Sequence, residues 1–181
     1  KGAARAAGVY IMIVEDRVYL FTDATVNIEP TAEDLSEIAC LAADFAKRLE
    51  IDPRVAFLSF SNFGSAPYPE SEKMARATTL VKQRAPELMV DGEIQADAAV
   101  MPEFVKRYFP FSSLTSEANV FVFPNLDAAN IAYKLMHRIG GLVAIGPILM
   151  GLSKPVHVLH PTLDVGQIVD MAAVAVVDAQ K

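Results

Sequence analysis

The chain has 181 residues, with 16 lysines and arginines against 22 aspartates and glutamates and a net charge of −6. That length fits one domain able to bury a core without staples, and the acidic balance argues against nucleic acid or an anionic membrane surface as a partner. A polyanionic ligand must therefore be met by a local basic cluster. Hydrophobic residues reach 52% and mean hydropathy is +0.30, yet no run approaches the ~20 apolar residues of a membrane-spanning helix. The longest, Val143 to Leu152, is interrupted by Gly146, Pro147 and Gly151. The apolar surplus is expected on sheet faces covered from both sides or at a subunit interface. The single cysteine, Cys40, lies in an apolar helical pattern and is expected as a small core residue in a reducing, cytoplasmic setting. The chain opens Lys1-Gly2-Ala3, and Ala6 to Val14 runs straight into Glu15-Asp16-Arg17. This is no signal-peptide pattern, and a piece of a longer polypeptide is expected.

In chain order, Val9–Glu15 and Arg17–Thr22 are rich in Val, Ile and Tyr and predict a hairpin or bulged antiparallel pair. Thr31 and Asp34 form a T-x-x-D capping signature. Leu35, Ile38, Ala39, Ala42, Phe45, Ala46 and Leu49 recur at spacings of three and four, which predicts a helix ending near Glu50. Val55–Phe60 reads as a strand, followed by the polar turn Ser61–Ser65. Glu70–Arg84 is expected as a helix with Met74, Ala77, Thr78 and Val81 inward, stopped at Ala85-Pro86. Leu88–Val90 reads as a strand closed by a tight turn at Asp91-Gly92. Gln95–Val100 fits loop or helix equally, and Pro102–Phe109 a short helix.

Asn119–Pro161 is the most informative stretch. Asn119–Phe123 predicts a buried strand, Asp127–Ile139 a helix closed by Gly140-Gly141, and an apolar segment follows. A strand feeding a helix whose first turn carries Asn125, Asp127 and Asn130 leaves backbone N–H groups facing the crevice at the strand's carboxyl end. Asn130, Lys134 and Arg138, at i, i+4 and i+8, form a polar stripe able to meet an anion. Val156–Leu159 reads as a last strand. Asp164 to about Asp178 reads as a helix with Val165, Ile168, Val169, Ala172, Ala173 and Val176 in register. Alternating strands and helices imply an α/β fold, a parallel-rich sheet flanked by helices with an early antiparallel element.

No G-x-G-x-x-G, P-loop, nucleophile-elbow or H-E-x-x-H motif occurs. His137, His157 and His160 have no companions at metal-ligand spacing, and Ser59, Ser61 and Ser65 fit turn chemistry. From these residues alone the reading stops at an α/β domain with two candidate loops at strand ends.

Further residues carry a family likeness. Pro124–Lys134, Arg138–Gly141, Ala144–Leu149 and Gly151–Val156, with Leu58–Ser61, Gly64–Ala66, Pro86–Leu88, Asp91–Gln95 and Asp97–Ala99, closely resemble the carboxyl-terminal half of the phosphate acetyltransferases. The resemblance implies an isocitrate/isopropylmalate dehydrogenase-like fold of two α/β lobes with a cleft, a partial domain here, and a dimer. Active members read D-L-S-R-G after K-P-V-N, with an aspartate one turn into the next helix. Here His160, Pro161 and Gln167 hold those serine, arginine and aspartate positions, and Phe63 replaces a lysine. Neither Pro161 nor Gln167 supplies the missing charge or base. Asn62–Ser65 with Pro67–Met74 resembles the bacterial multidomain NADP-dependent malic enzymes, which carry a catalytically silent domain of this kind. That likeness implies that residues 1–181 are the carboxyl-terminal part of an acyltransferase-dead, acetyl-CoA-sensing, dimerising domain within a higher oligomer. No cofactor is expected on this segment; NADP and Mg or Mn are expected in an upstream domain that decarboxylates malate oxidatively to pyruvate. The effector-binding residues it implies are Ser61, Ser65, Asn125, Asn130, Lys134, Arg138, His160 and Gln167. Alternatives are a divergent active phosphate acetyltransferase and a purely structural oligomerisation domain.

Overall fold

A computed structural model describes residues 3, 5–159, 161 and 163–180. Two runs near the start form the hairpin: β1 (Ala7–Val14) pairs antiparallel with β2 (Arg17–Thr22), Val14 facing Arg17 across a two-residue turn. Helix α1 (Ala32–Arg48) starts at the expected capping box, Thr31 Oγ accepting from the Asp34 amide while the Asp34 carboxylate accepts from the Thr31 amide. Next come β3 (Arg54–Leu58), α2 (Pro69–Arg84), β4 (Met89–Ile94) and the short helices α3 (Ala96–Ala99) and α4 (Pro102–Tyr108). The chain then makes β5 (Val120–Val122), α5 (Leu126–Arg138), β6 (Val143–Met150) and α6 (Val165–Ala179).

The strands form one sheet in the order β4-β3-β5-β2-β1-β6. The four from β4 to β2 run parallel, and β1 is antiparallel to both its neighbours. Side chains alternate between faces as the period of two requires. Val55, Phe57, Val120 and Val122 pack with α1, α2 and α6 on one face, whereas Ala56, Leu58, Phe121 and Phe123 pack with α3, α4 and α5 on the other. Two cores on one sheet account for the apolar surplus. Among the described residues no helix is long and apolar enough to cross a membrane.

Three expectations need correction. Asp91-Gly92 is no turn: β4 runs through it to Ile94, and the register against β3 slips by one residue there, so Glu93 is the extra residue of a bulge. Val156–Leu159 is not a strand but touches the sheet through a single bridge, Ile148 to His157. The predicted apolar stripe of α6 does not face the core. Its buried residues are Met171, Val174 and Asp178, while Val165, Ile168, Val169 and Val176 are exposed, and the inward Asp178 lies 3.2 Å from Arg48 Nε.

Candidate functional site

The topology places one crevice. From β3 the chain goes through α2 to its neighbour β4 on one side; from the adjacent β5 it goes through α5 to β6 at the far edge. The carboxyl ends of β3 and β5 therefore diverge, which is the switch-point position where open α/β sheets take ligands. A cavity of about 350 Å³ lies there, lined by Leu58, Ser59, Phe60, Phe123, Pro124 and Ala128, with Ala96 and Glu70 at its rim. Asn125 caps α5 at its edge, its Oδ1 accepting from the Ala128 amide at 2.9 Å. Lys73 ties α2 to the same turn, its Nζ donating to the Pro124 carbonyl at 2.8 Å.

The neighbouring Ser61–Ser65 loop is held from below by the β4 bulge, which turns Glu93 under it. Buried Glu93 accepts from Ser61 Oγ at 2.8 Å and from the Gly64 amide, and its carbonyl accepts from the Phe63 amide at 2.8 Å. Ser61 is fully buried, and its hydroxyl also accepts from the Ala66 amide. Ser65 is exposed and accepts from the Asn62 amide at 2.9 Å. Both hydroxyls thus shape the loop. Phe63 adopts φ +48, a left-handed conformation unusual for a bulky residue, and packs on Phe109 and Phe111 with ring centroids 4.9 and 5.1 Å away.

A second pocket, of about 460 Å³, is built by β1, β6, α5 and the start of α6. Tyr10, Tyr133, Lys134, His137, Arg138, Gly146, Pro147 and Gln167 line it, with Ala144, Val158 and Leu163. Another bulge shapes its floor: Val9 faces Ile148 and Ile11 faces Ile145, so Gly146 and Pro147 together oppose Tyr10. Gly146 makes room for the ring, since a Cβ there would lie 2.7 Å from Tyr10 Cδ1, and its φ of +151 suits only glycine. Tyr10 stacks on Tyr133 at 4.0 Å and 18°, and burial, then its hydrogen bond with Tyr133, push the Tyr10 phenol well above its ordinary range.

Of the residues expected from sequence, Lys134, Arg138 and Gln167 meet in this second pocket, and Asn125 stands at the first. Gln167 doubles as a cap, its Oε1 accepting from the Asp164 amide. Asn130 is half-buried on α5 but lines neither pocket. His160 lies outside the described residues. Sequence reasoning missed Tyr10, Tyr133 and His137: the tyrosines meet only through pairing of distant segments, and the i, i+3, i+4 spacing of Lys134, His137 and Arg138 was the signal available for the histidine. Among the described residues no group of three or more His, Cys, Asp or Glu is arranged to hold a metal.

The molecule is thus an α/β sheet covered by helices, with a switch-point crevice and a separate basic pocket. Residues 1–176 match the phosphate acetyl/butaryl transferase family, and the chain belongs to it. It is 44% identical over 179 residues to the phosphate acetyltransferase of Bacillus subtilis strain 168, covering 99% of this chain and 55% of that protein. It is 46% identical over 181 residues to the NADP-dependent malic enzyme of Escherichia coli strain K12, covering 99% of this chain and 24% of that protein. The structure of the EutD phosphotransacetylase from Staphylococcus aureus superposes with a TM-score of 0.94 at 38% identity, over 98% of this chain and 55% of that one. The chain thus spans about half of the Bacillus subtilis and Staphylococcus aureus transferases and about a quarter of the malic enzyme.

Proposed function

We propose that this chain is the acetyl-CoA-sensing and dimerising regulatory domain of an NADP-dependent malic enzyme, with acyl transfer lost. One observation carries the reading. The second pocket keeps three basic side chains, Lys134, His137 and Arg138, while its described lining includes no carboxylate. Such a pocket favours an anion but offers no carboxylate base to deprotonate a thiol. Gln167, which stands where the family likeness puts that carboxylate, is neutral and spends its Oε1 on the α6 cap. Acetyl-CoA has parts suited to both places: phosphates for Lys134 and Arg138, and a pantetheine or acyl end for the apolar crevice beside Asn125. Regulation then requires that the ligand favour one of two arrangements of the assembly, because equal affinity for both shifts nothing. Oxidation and decarboxylation of malate, with NADP and a divalent metal, belong in this reading to an upstream domain.

The test uses the full-length protein carrying this chain. Malate-dependent NADP reduction is expected to slow with acetyl-CoA, and Arg138→Ala to weaken acetyl-CoA binding at least ~10-fold, the ~1.5–3 kcal/mol of a charge-assisted hydrogen bond. Insensitivity to acetyl-CoA, with no calorimetric binding, would sink the reading. A divergent active phosphate acetyltransferase is the second reading, favoured by the 44% identity to the Bacillus subtilis enzyme. Acetyl phosphate formed from acetyl-CoA and phosphate by the full-length protein, and abolished in Asn130→Ala, would establish it in place of the first.

A further inference from the structure

The two strands that flank the switch-point crevice part at its floor. The β3–β5 ladder ends with Phe57 facing Val122, one residue short of Leu58 and Phe123, which line the cavity. Beyond that pair each strand turns to its outer neighbour: the Ser59 amide donates to the Ile94 carbonyl of β4 at 2.9 Å, and the Phe123 amide to the Thr22 carbonyl of β2 at 2.8 Å. Sheet hydrogen bonding between β3 and β5 therefore does not fix the width of the crevice. Lys73 crosses the gap. It stands three residues after the rim residue Glu70 on α2, hence on the same face of that helix, and its Nζ donates to the Pro124 carbonyl at 2.8 Å. That bond joins the wall that follows β3 to the wall that follows β5, just before Asn125 caps α5. A charged donor on a carbonyl is among the stronger hydrogen bonds.

We propose that Lys73 is a positioning residue for the acyl end of the ligand: its bond to Pro124 sets how closely the crevice walls stand, and with it the preference for acetylated over free coenzyme A. This rests on the reading of the crevice as the place of that end. Leu58, Phe60, Ala96, Phe123, Pro124 and Ala128 give the cavity an apolar lining, no lysine, arginine or histidine is among its lining residues, and Glu70 stands at the rim. Such a cavity suits an apolar group better than a phosphate. Its volume of about 350 Å³ is more than a two-carbon group fills. A methyl gains dispersion energy from walls it touches and forfeits roughly a quarter to a half of it across a gap of about 0.5–1 Å. A wall freed to drift thus removes the preference and leaves the crevice in place. Lys73 acts through Pro124, without touching the ligand.

Calorimetric titration of the full-length protein with acetyl-CoA and with CoA compares ligands that share every group except the acetyl, so contacts to Lys134 and Arg138 cancel in the ratio. The wild type is expected to bind acetyl-CoA at least ~4-fold more tightly, the worth of one buried methylene-sized group. Lys73→Met keeps most of the apolar stem and lacks the donor; it is expected to retain its affinity for CoA and to bind the two ligands within about 2-fold of each other. Lys73→Arg keeps a charged donor and is expected to retain most of the preference. Lys73→Gln serves as a second variant should Lys73→Met fail to fold. A wild type without preference overturns the proposal and leaves the effector reading standing, as does a Lys73→Met or Lys73→Gln variant that keeps the wild-type ratio even where both ligands weaken. Absence of binding of either ligand by the wild type overturns both.

Discussion

Asp91 shows how one buried carboxylate joins three segments. Its Oδ1 takes Lys82 Nζ at 2.8 Å and its Oδ2 takes Ser112 Oγ and the Ser113 amide, both at 2.8 Å. Burial alone would raise its pKa, but the bonds from Lys82, Ser113 and Ser112 together outweigh that and hold the carboxyl below its ordinary range. Because the folded pKa is the lower one, the stabilisation is fully present above the unfolded value of ~3.9 and is lost as pH falls through the folded value. Asp91→Asn is expected to cost about 2 kcal/mol in urea unfolding at pH 7 and much less near pH 3. An equal cost at both pH values would show that shape, not charge, matters there. His157 follows the same sign for a different reason. Burial, only partly offset by Asp178, lowers its pKa, while its Nδ1 accepts from the Leu149 amide at 3.3 Å. Its neutral form is the one the fold uses, so stability is held above ~6.5 and declines as pH falls toward the folded value. His157→Gln should flatten that slope in melting curves between pH 7 and 5.

At the scale of elements, both candidate places rest on bulges enabled by glycine. Gly92, at φ +147, lies where a Cβ would meet Phe57 Cβ and carbonyl oxygen at 2.8 Å. Gly92→Ala is therefore expected to lose at least about 1–3 kcal/mol through backbone strain alone, read as a lowered urea midpoint. Gly146→Ala should displace the Tyr10 ring and reduce the near-ultraviolet circular dichroism of the Tyr10–Tyr133 stack, with far-ultraviolet signal kept. An unchanged aromatic spectrum would contradict the geometry. Helix α1 is simpler, because its signals are all local: Thr31→Ala removes one side of the capping box and should cost about 1 kcal/mol. Its inward positions were legible from spacing alone, as were Met74, Ala77, Thr78 and Val81 of α2. Helix α6 was not legible in this way: apolar residues stand both on the expected stripe at Val165, Ile168, Val169 and Val176, which is exposed, and at Met171 and Val174, which are buried, so spacing alone did not choose the inward face.

For the molecule as a whole, the exposed apolar residues near the β6 edge bear on the proposed dimer. Ile131, Leu135 and Ile139 of α5 and its end, and Val165, Ile168, Val169 and Val176 of α6, stand exposed on elements packed against opposite faces of the sheet. Ile139 and Val165 are 81% and 79% accessible, so substitution by glutamate should change the stability of a protomer by no more than about 0.5 kcal/mol. If these faces join subunits, Ile139→Glu and Val165→Glu lower the mass of the full-length protein in light scattering. An unchanged mass in both would place the dimer contact elsewhere.

The sequence by itself determined the alternating α/β order, the hairpin, the capped helices and the family. These depend on local spacing, capping chemistry and runs of residues that survive in the order they are written. It also supplied the Lys134–Arg138 stripe, because residues four apart on a helix are neighbours whatever the fold. Tertiary structure decided the rest. Only strand order locates the switch-point crevice between β3 and β5, and only the slipped registers turn Glu93 under the serine loop and set Tyr10 against Tyr133. A register is a relation between distant segments, fixed by the packing of both faces at once, and no local pattern records it.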